Sequence, residues 1–324
     1  VYKLKLNHII SFLRLIRFNN LLIIAGTLYL VRYCIIAPIL QYGELSLQLN
    51  EFFFFLLVLS TLFITSAGYV INDYFDQKTD LVNKPDSVII GKKIKRRHAM
   101  AFHIVFNIIG ILIGIFISLS IGEPLLSLIF ITVSGLLWFY STTYKKQLLI
   151  GNLIVAFLTA LVPLTVFLFE YPLLKSEYSN LFATFSSIIK YLSSWVLGYA
   201  GFAFLLTLAR EITKDTEDFE GDRAFGNQTI PIVVGTGYTK GIIVVLFIFT
   251  LIAIFYVYFT YLTNKFTLYY ILIALVIPII YNIYRVISAN NKKDYHISSL
   301  LTKIIMIIGL LYALLVNSII PRYF

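Results

Sequence analysis

The chain has 324 residues, 59% of them hydrophobic and only 13% charged, with a mean hydropathy of +0.88 and a formal net charge of +10. Apolar runs of about twenty residues recur along it, which excludes a soluble globular domain and points to a polytopic all-α membrane protein. The single cysteine, Cys34, excludes an intrachain disulfide.

The first residues carry Lys3, Lys5, Arg14 and Arg17 around a short apolar stretch, with no small-residue cleavage site after it. Residues 1–18 therefore read as an amphipathic helix on the membrane surface and not as a removable signal peptide. Nine spanning segments follow, beginning near Asn20, Phe52, His98, Pro124, Leu148, Ser187, Thr239, Thr267 and Ser298. Lys190 interrupts the sixth and the run YNIYRVI ends the eighth, but nine remains the simplest count. Residues 1–324 thus form one membrane domain, with polar loops at 72–97 and 210–238 as a cap.

Orientation follows from the cations. With the N-terminus in the cytoplasm, 20 of the 26 Lys and Arg residues fall on that side, four (Lys175, Lys190, Lys265 and Arg322) fall outside, and Arg32 and Lys303 lie within segments. This satisfies the positive-inside rule, so the net charge needs no nucleic-acid partner, and no nucleic-acid motif is present.

The acidic residues are distributed far less evenly. Ten of the sixteen fall in two windows, Asp73–Asp86 and Glu211–Asp222, each with three aspartates spaced D-x2-D-x3-D: Asp73, Asp76 and Asp80, then Asp215, Asp218 and Asp222. They follow the second and sixth segments, so parity puts both on the cytoplasmic face. If those helices continue past the bilayer, positions i, i+3 and i+7 lie within about 60° on one face, and each triplet can point into a shared cavity. The four-segment interval between them hints at a duplicated unit. Carboxylates beside hydrocarbon are costly, and two matched clusters read as one divalent-metal site in two halves, with Asn72 adding an oxygen. Mg²⁺ binds through a few carboxylates plus substrate phosphates, so the chemistry expected is diphosphate handling, in which neutralising the leaving group lets an allylic carbon–oxygen bond ionise. The expected ligands are Asn72, Asp73, Asp76, Asp80, Asp215, Asp218 and Asp222. Turnover should rest on Asp76, Asp80, Asp218 and Asp222, and most on Asp76 and Asp218, each central in its triplet.

These residues resemble the UbiA family of intramembrane prenyltransferases. Asn72 to Asp80 matches its NDxxDxxxD motif and Asp218 to Asp222 its DxxxD motif. The resemblance implies nine helices around a central cavity, a cytoplasmic cap, Mg²⁺, a polyprenyl diphosphate donor and transfer of the prenyl group to an acceptor. Arg17-Phe18-Asn19-Asn20 resembles the family's RPxN, with Phe18 in place of Pro, and implies Asn20 as a cavity residue near the diphosphate. The stretch Tyr140 to Lys146, followed by Gly151-Asn152, implies Tyr140 and Lys145 as diphosphate contacts. Asn83-Lys84-Pro85 matches a loop usually continued by Arg-Pro; here Ser87-Val88 stands there, and Lys92, Lys93 or Lys95 is expected either to replace that cation or to serve topology alone. The run from Arg210 to Pro231 most resembles REIxKDxEDxxGDxxxGxxTLP of the digeranylgeranylglyceryl phosphate synthase branch. That likeness implies a geranylgeranyl donor and a prenylglyceryl phosphate lipid as acceptor, joined by an ether bond. The alternative is an aromatic acceptor of quinone or chlorophyll biosynthesis, because the metal site reads the donor alone.

Other features carry less. Among 28 Phe and 23 Tyr, a few rings are expected to line the cavity and shelter an allylic cation. Arg32 reads either as a functional cation, as a structurally paired one, or as one snorkelling outward. Gly110 and Gly114 form a GxxxG pair suited to close helix packing. The four histidines lack metal-ligand spacing. A cation-coupled transporter would hold its acids at mid-membrane and not at one surface. A phosphate-transferring lipid enzyme would carry a DGxxAR run, and a noncatalytic scaffold gives no reason for paired aspartate triplets.

Overall fold

The structure, a computed structural model, describes residues 2–315, with side chains for 9–180 and 185–315. Arg322 and the side chains of Lys3 and Lys5 lie outside the described residues. Nine helices among the described residues are long and apolar enough to cross a membrane: Phe18–Tyr42, Glu51–Asn83, Arg96–Ser120, Pro124–Thr142, Ile150–Tyr178, Phe185–Glu217, Thr236–Tyr261, Lys265–Ile287 and Lys292–Leu315. The ninth starts earlier than its apolar run because Asn291 and Asp294 form a reciprocal cap, each side chain accepting from the other's backbone N–H. A preceding helix, Tyr2–Leu15, occupies the expected surface segment. Arg17, between the two, has a left-handed backbone with φ of 50°, a strained conformation for a residue with a side chain.

The second spanning helix has 33 residues. At about 1.5 Å per residue it rises roughly 50 Å, well beyond a hydrocarbon layer of about 30 Å, and the first aspartate triplet lies in its last turns. Its membrane part packs closely on the third helix. A Cβ at Gly110 would lie 2.6 Å from Ile64 and 3.1 Å from the Ser60 carbonyl, and Ser60 Oγ donates to the Gly110 carbonyl at 2.6 Å. Glycine there lets the backbones approach, as small residues do where lipid gives no hydrophobic drive.

At the opposite end of the bundle Arg32 is paired. Its guanidinium, 1% exposed, lies 3.3 Å from the fully buried Glu170 and 3.0 Å from Glu51, and donates to the Leu49 carbonyl at 2.5 Å. Glu170 also accepts the backbone N–H groups of Gln48 and Leu49. Arg32 sits in a widened π-type turn, Val31–Ile36, and a second such turn spans Ile271–Val276. Each precedes a proline, Pro38 or Pro278, and contains the carbonyl four residues back that the proline ring would otherwise strike.

Candidate active site

One cavity of about 780 Å³ runs from the loop end of the bundle into its interior. Asn72, Asp73, Asp76 and Asp80 line it from the second helix, Asp215 from the sixth and Asp218 from just past its end. Asn20, Tyr140 and Lys145 line the same cavity. Sequence positions far apart thus converge, because the helices carrying the two aspartate windows open at the same end.

The first triplet lies on a continuous helix. The second does not: the sixth helix stops at Glu217, Asp218 has φ −94° and ψ 12°, and a short helix, Phe219–Ala224, turns away. Asp222 consequently leaves the cavity wall. Its carboxylate, 6% exposed, accepts from Asn227 Nδ2 at 2.9 Å and Thr229 Oγ1 at 3.4 Å. Burial pushes this carboxyl above the ordinary range, against the lowering effect of Asn227 and of Lys145. The one-face expectation fails here because Asn83 holds the break: its Oδ1 accepts the Gly221 N–H at 3.0 Å and its Nδ2 donates to the Asp218 carbonyl at 3.2 Å. A Cβ on Gly221 would meet the Asn83 amide at 2.3 Å, so only glycine admits this contact.

Three cations bridge to the aspartates. Arg17 reaches Asp73 at 2.8 Å, Lys84 lies 3.0 Å from Asp218 and 3.2 Å from Glu217, and Lys145 pairs with Asp76. Burial disfavours each charge, yet the facing carboxylates outweigh it, and the pKa values of Arg17, Lys84 and Lys145 are all raised. Lys145 is delivered by the turn Tyr144–Lys146, against which Gly151 packs so closely that a Cβ would stand 2.9 Å from both the Lys145 Cα and the Tyr144 carbonyl. Next to that glycine, Asn152 donates to Asp215 at 2.7 Å.

Among the described residues, no three carboxylates, imidazoles or thiols gather closely enough to hold a cation alone. Residues of both rows line the one cavity, an arrangement suited to Mg²⁺, whose shell is usually completed by water and substrate phosphate. Asn72 fits the same role: its Nδ2 donates to Asp76 at 2.8 Å, leaving Oδ1 buried with no hydrogen-bond partner. Of the candidate loop cations, Lys93 lines the cavity, whereas Lys92 donates to the Pro85 carbonyl. Lys84, which follows the first motif in sequence, pairs with Glu217 and Asp218 of the second. Tyr69, Phe130, Tyr140, Tyr199 and Phe202 are the aromatic side chains on the wall. No sequence period distinguishes them from the chain's other rings.

The UbiA prenyltransferase family matches residues 20–314. Digeranylgeranylglyceryl phosphate synthase of Methanosphaera stadtmanae is 32% identical over 247 residues, covering 76% of this chain and 80% of that protein. The protein of the same name from Methanobrevibacter smithii is 37% identical over 180 residues, 56% of this chain and 58% of its own. A solved structure described as giving insights into digeranylgeranylglyceryl phosphate synthase in membranes aligns with a TM-score of 0.61 at 24% identity, covering 96% of this chain and 99% of that one. A UbiA homolog from Archaeoglobus fulgidus bound to DMAPP and Mg²⁺ aligns with a TM-score of 0.55 at 16% identity, over 95% and 99%. The two solved structures share the fold, the sequence match spans nearly the whole chain, and the chain belongs to the UbiA prenyltransferase family.

Proposed function

We propose that the chain transfers a geranylgeranyl group from its diphosphate to the free hydroxyl of a prenylglyceryl phosphate lipid, forming an ether bond, at a Mg²⁺-dependent site facing the cytoplasm. The observation that carries the reading is the cavity, in which two carboxylate rows and three cations guard an apolar chamber within a membrane-spanning bundle. Similarity to digeranylgeranylglyceryl phosphate synthases supports the donor and the acceptor. The concentration of Lys and Arg on the loops that share the N-terminal side supports the orientation.

Asn72, Asp73, Asp76, Asp80, Asp215 and Asp218 would hold the metal. Bound Mg²⁺ would supply the positive charge that stabilises the departing diphosphate. Lys145 and Tyr140 orient that diphosphate from the fourth helix and its following turn, with Lys84 at the other side. Asp222 fixes the loop 225–229 through Asn227 and Thr229. The wall rings exclude water while the bond from the allylic carbon to the diphosphate oxygen breaks and their faces favour the developing carbocation. The acceptor hydroxyl oxygen then bonds to that carbon and releases its proton.

The test is product identity. Detergent-purified protein with Mg²⁺ and labelled geranylgeranyl diphosphate is incubated in separate tubes with prenylglyceryl phosphate, hydroxybenzoate and dihydroxynaphthoate. Mass analysis is expected to find a doubly prenylated glyceryl phosphate. A product in an aromatic tube alone would reject the acceptor, and no diphosphate release in any tube would reject transfer.

A further inference from the structure

The cavity contains a second group of cations, on the sixth and ninth helices, that extends from beside Asp215 further into the bundle. Thr207, Arg210 and Lys214 occupy one face of the sixth helix at i, i+3 and i+7, and Lys303 joins them from the ninth. Arg210 is five positions before Asp215, about 7 Å further into the membrane. Arg210 and Lys214 share a single carboxylate, Glu211, at 2.9 and 3.0 Å. Among the described residues Lys303 makes no ion pair; its ammonium donates to Asn20 Oδ1 at 2.7 Å and has Arg210 and Arg17 as charged neighbours.

Glu211 is the one carboxylate in ion-pair contact with these three cations, which leaves an excess of positive charge in a partly buried space, where unbalanced charge is expensive. Two further donors there have no use within the chain. Thr207 is 4% exposed with a buried, unpartnered hydroxyl, and Arg210 Nε is likewise buried without a partner. A phosphate monoester, carrying roughly −1.5 to −2 charges near neutral pH, balances that surplus and accepts from several donors at once.

We infer that Lys303, Arg210 and Lys214, with the Thr207 hydroxyl, bind the phosphate group of the acceptor lipid and thereby select a phosphorylated acceptor. The inference rests on the acceptor reading proposed above. The donor diphosphate has its own cations, Lys145 and Lys84, on the aspartate side. In a glyceryl phosphate the reacting hydroxyl and the phosphate are only a few bonds apart, so an oxygen attacking the donor's allylic carbon must bring its phosphate into this interior part of the cavity. Apolar side chains from the first and ninth helices, Ile23, Ile24, Met306, Ile307 and Leu310, line the cavity beside it and suit the lipid chain.

Lys303→Gln, Arg210→Gln and Lys303→Arg are made in the full chain and purified in detergent. Steady-state kinetics vary each substrate in turn, and calorimetry titrates prenylglyceryl phosphate without donor or Mg²⁺. The glutamine variants should raise the acceptor KM and Kd by about tenfold or more and leave the donor KM within about twofold, with Lys303→Arg near wild type. With an unphosphorylated prenylglycerol, wild type should be poor and the variants no worse. A rise in donor KM alone would reassign the cluster to the diphosphate and overturn the inference. Unchanged constants for both substrates in a wild-type-competent preparation would overturn it equally. If wild type itself does not prenylate prenylglyceryl phosphate, the acceptor reading fails first and this inference with it.

Discussion

Lys84 Nζ stands 3.0 Å from Asp218 Oδ1, joining the end of the second spanning helix to the end of the sixth. The residue before it, Asn83, clamps the Asp218 carbonyl and the Gly221 N–H from the same turn. Two motifs separated by well over a hundred residues are therefore one mechanical unit, and the loop after the first motif sets the position of the second.

Asn83→Ala should accordingly behave like damage to the second motif. The Gly221 N–H and the Asp218 carbonyl lose their buried partner, at a cost of about 1–3 kcal/mol, and the break that aims Asp218 at the cavity relaxes. Initial rates over a Mg²⁺ titration should show a weaker metal dependence midpoint and lower turnover. A wild-type Mg²⁺ profile would show that the clamp does not position Asp218.

The spanning helices, their common polar end and both aspartate windows are legible from sequence, because each depends on a local property: a long apolar run, a charge asymmetry, a repeated spacing. What was not legible depends on tertiary contact. The partners of Arg32 lie 17, 19 and 138 positions away, with no pattern linking them. Asn83 and Asn152 are ordinary polar residues until the fold brings Gly221 and Asp215 against them. The turn of Asp222 out of the cavity follows from a helix break stabilised across the cap, where helical spacing alone predicts continuity.

Asp76→Asn and Asp218→Asn should each lower turnover by orders of magnitude while the proteins insert and purify normally. Both side chains face the cavity, so their removal costs little packing, while each loses a carboxylate from its row. Diphosphate release and a thermal melt on the same preparation separate the effects. Near-normal turnover in both variants would sink the two-row site.

Arg32 and Glu170 give a contrasting prediction, of stability and not of catalysis. Both are almost fully buried, and removing one partner strands the other, for which about 3–5 kcal/mol is the expected loss. Arg32→Met and Glu170→Gln should each lower the denaturation midpoint in detergent, and the double variant should lose less than the sum. The folded fraction should keep both substrate KM values, since neither residue lines the reaction cavity. Strict additivity would mean the two do not act as a pair.

Gly151→Ala tests the donor side from the backbone. Its new Cβ would meet the Lys145 Cα and the Tyr144 carbonyl at 2.9 Å, and these are main-chain groups that no rotamer change can move aside. The turn that presents Lys145 must shift, separating the ammonium from Asp76. Donor affinity should weaken in the same direction as in Lys145→Ala, with the acceptor KM unchanged in both. Because the alanine variant retains the cation and displaces only its support, a smaller loss than in Lys145→Ala is expected, and the double variant should be no worse than Lys145→Ala alone. If the two losses add in the double variant, Gly151 acts through something other than the position of Lys145, and Asn152 with its hydrogen bond to Asp215 becomes the route to examine.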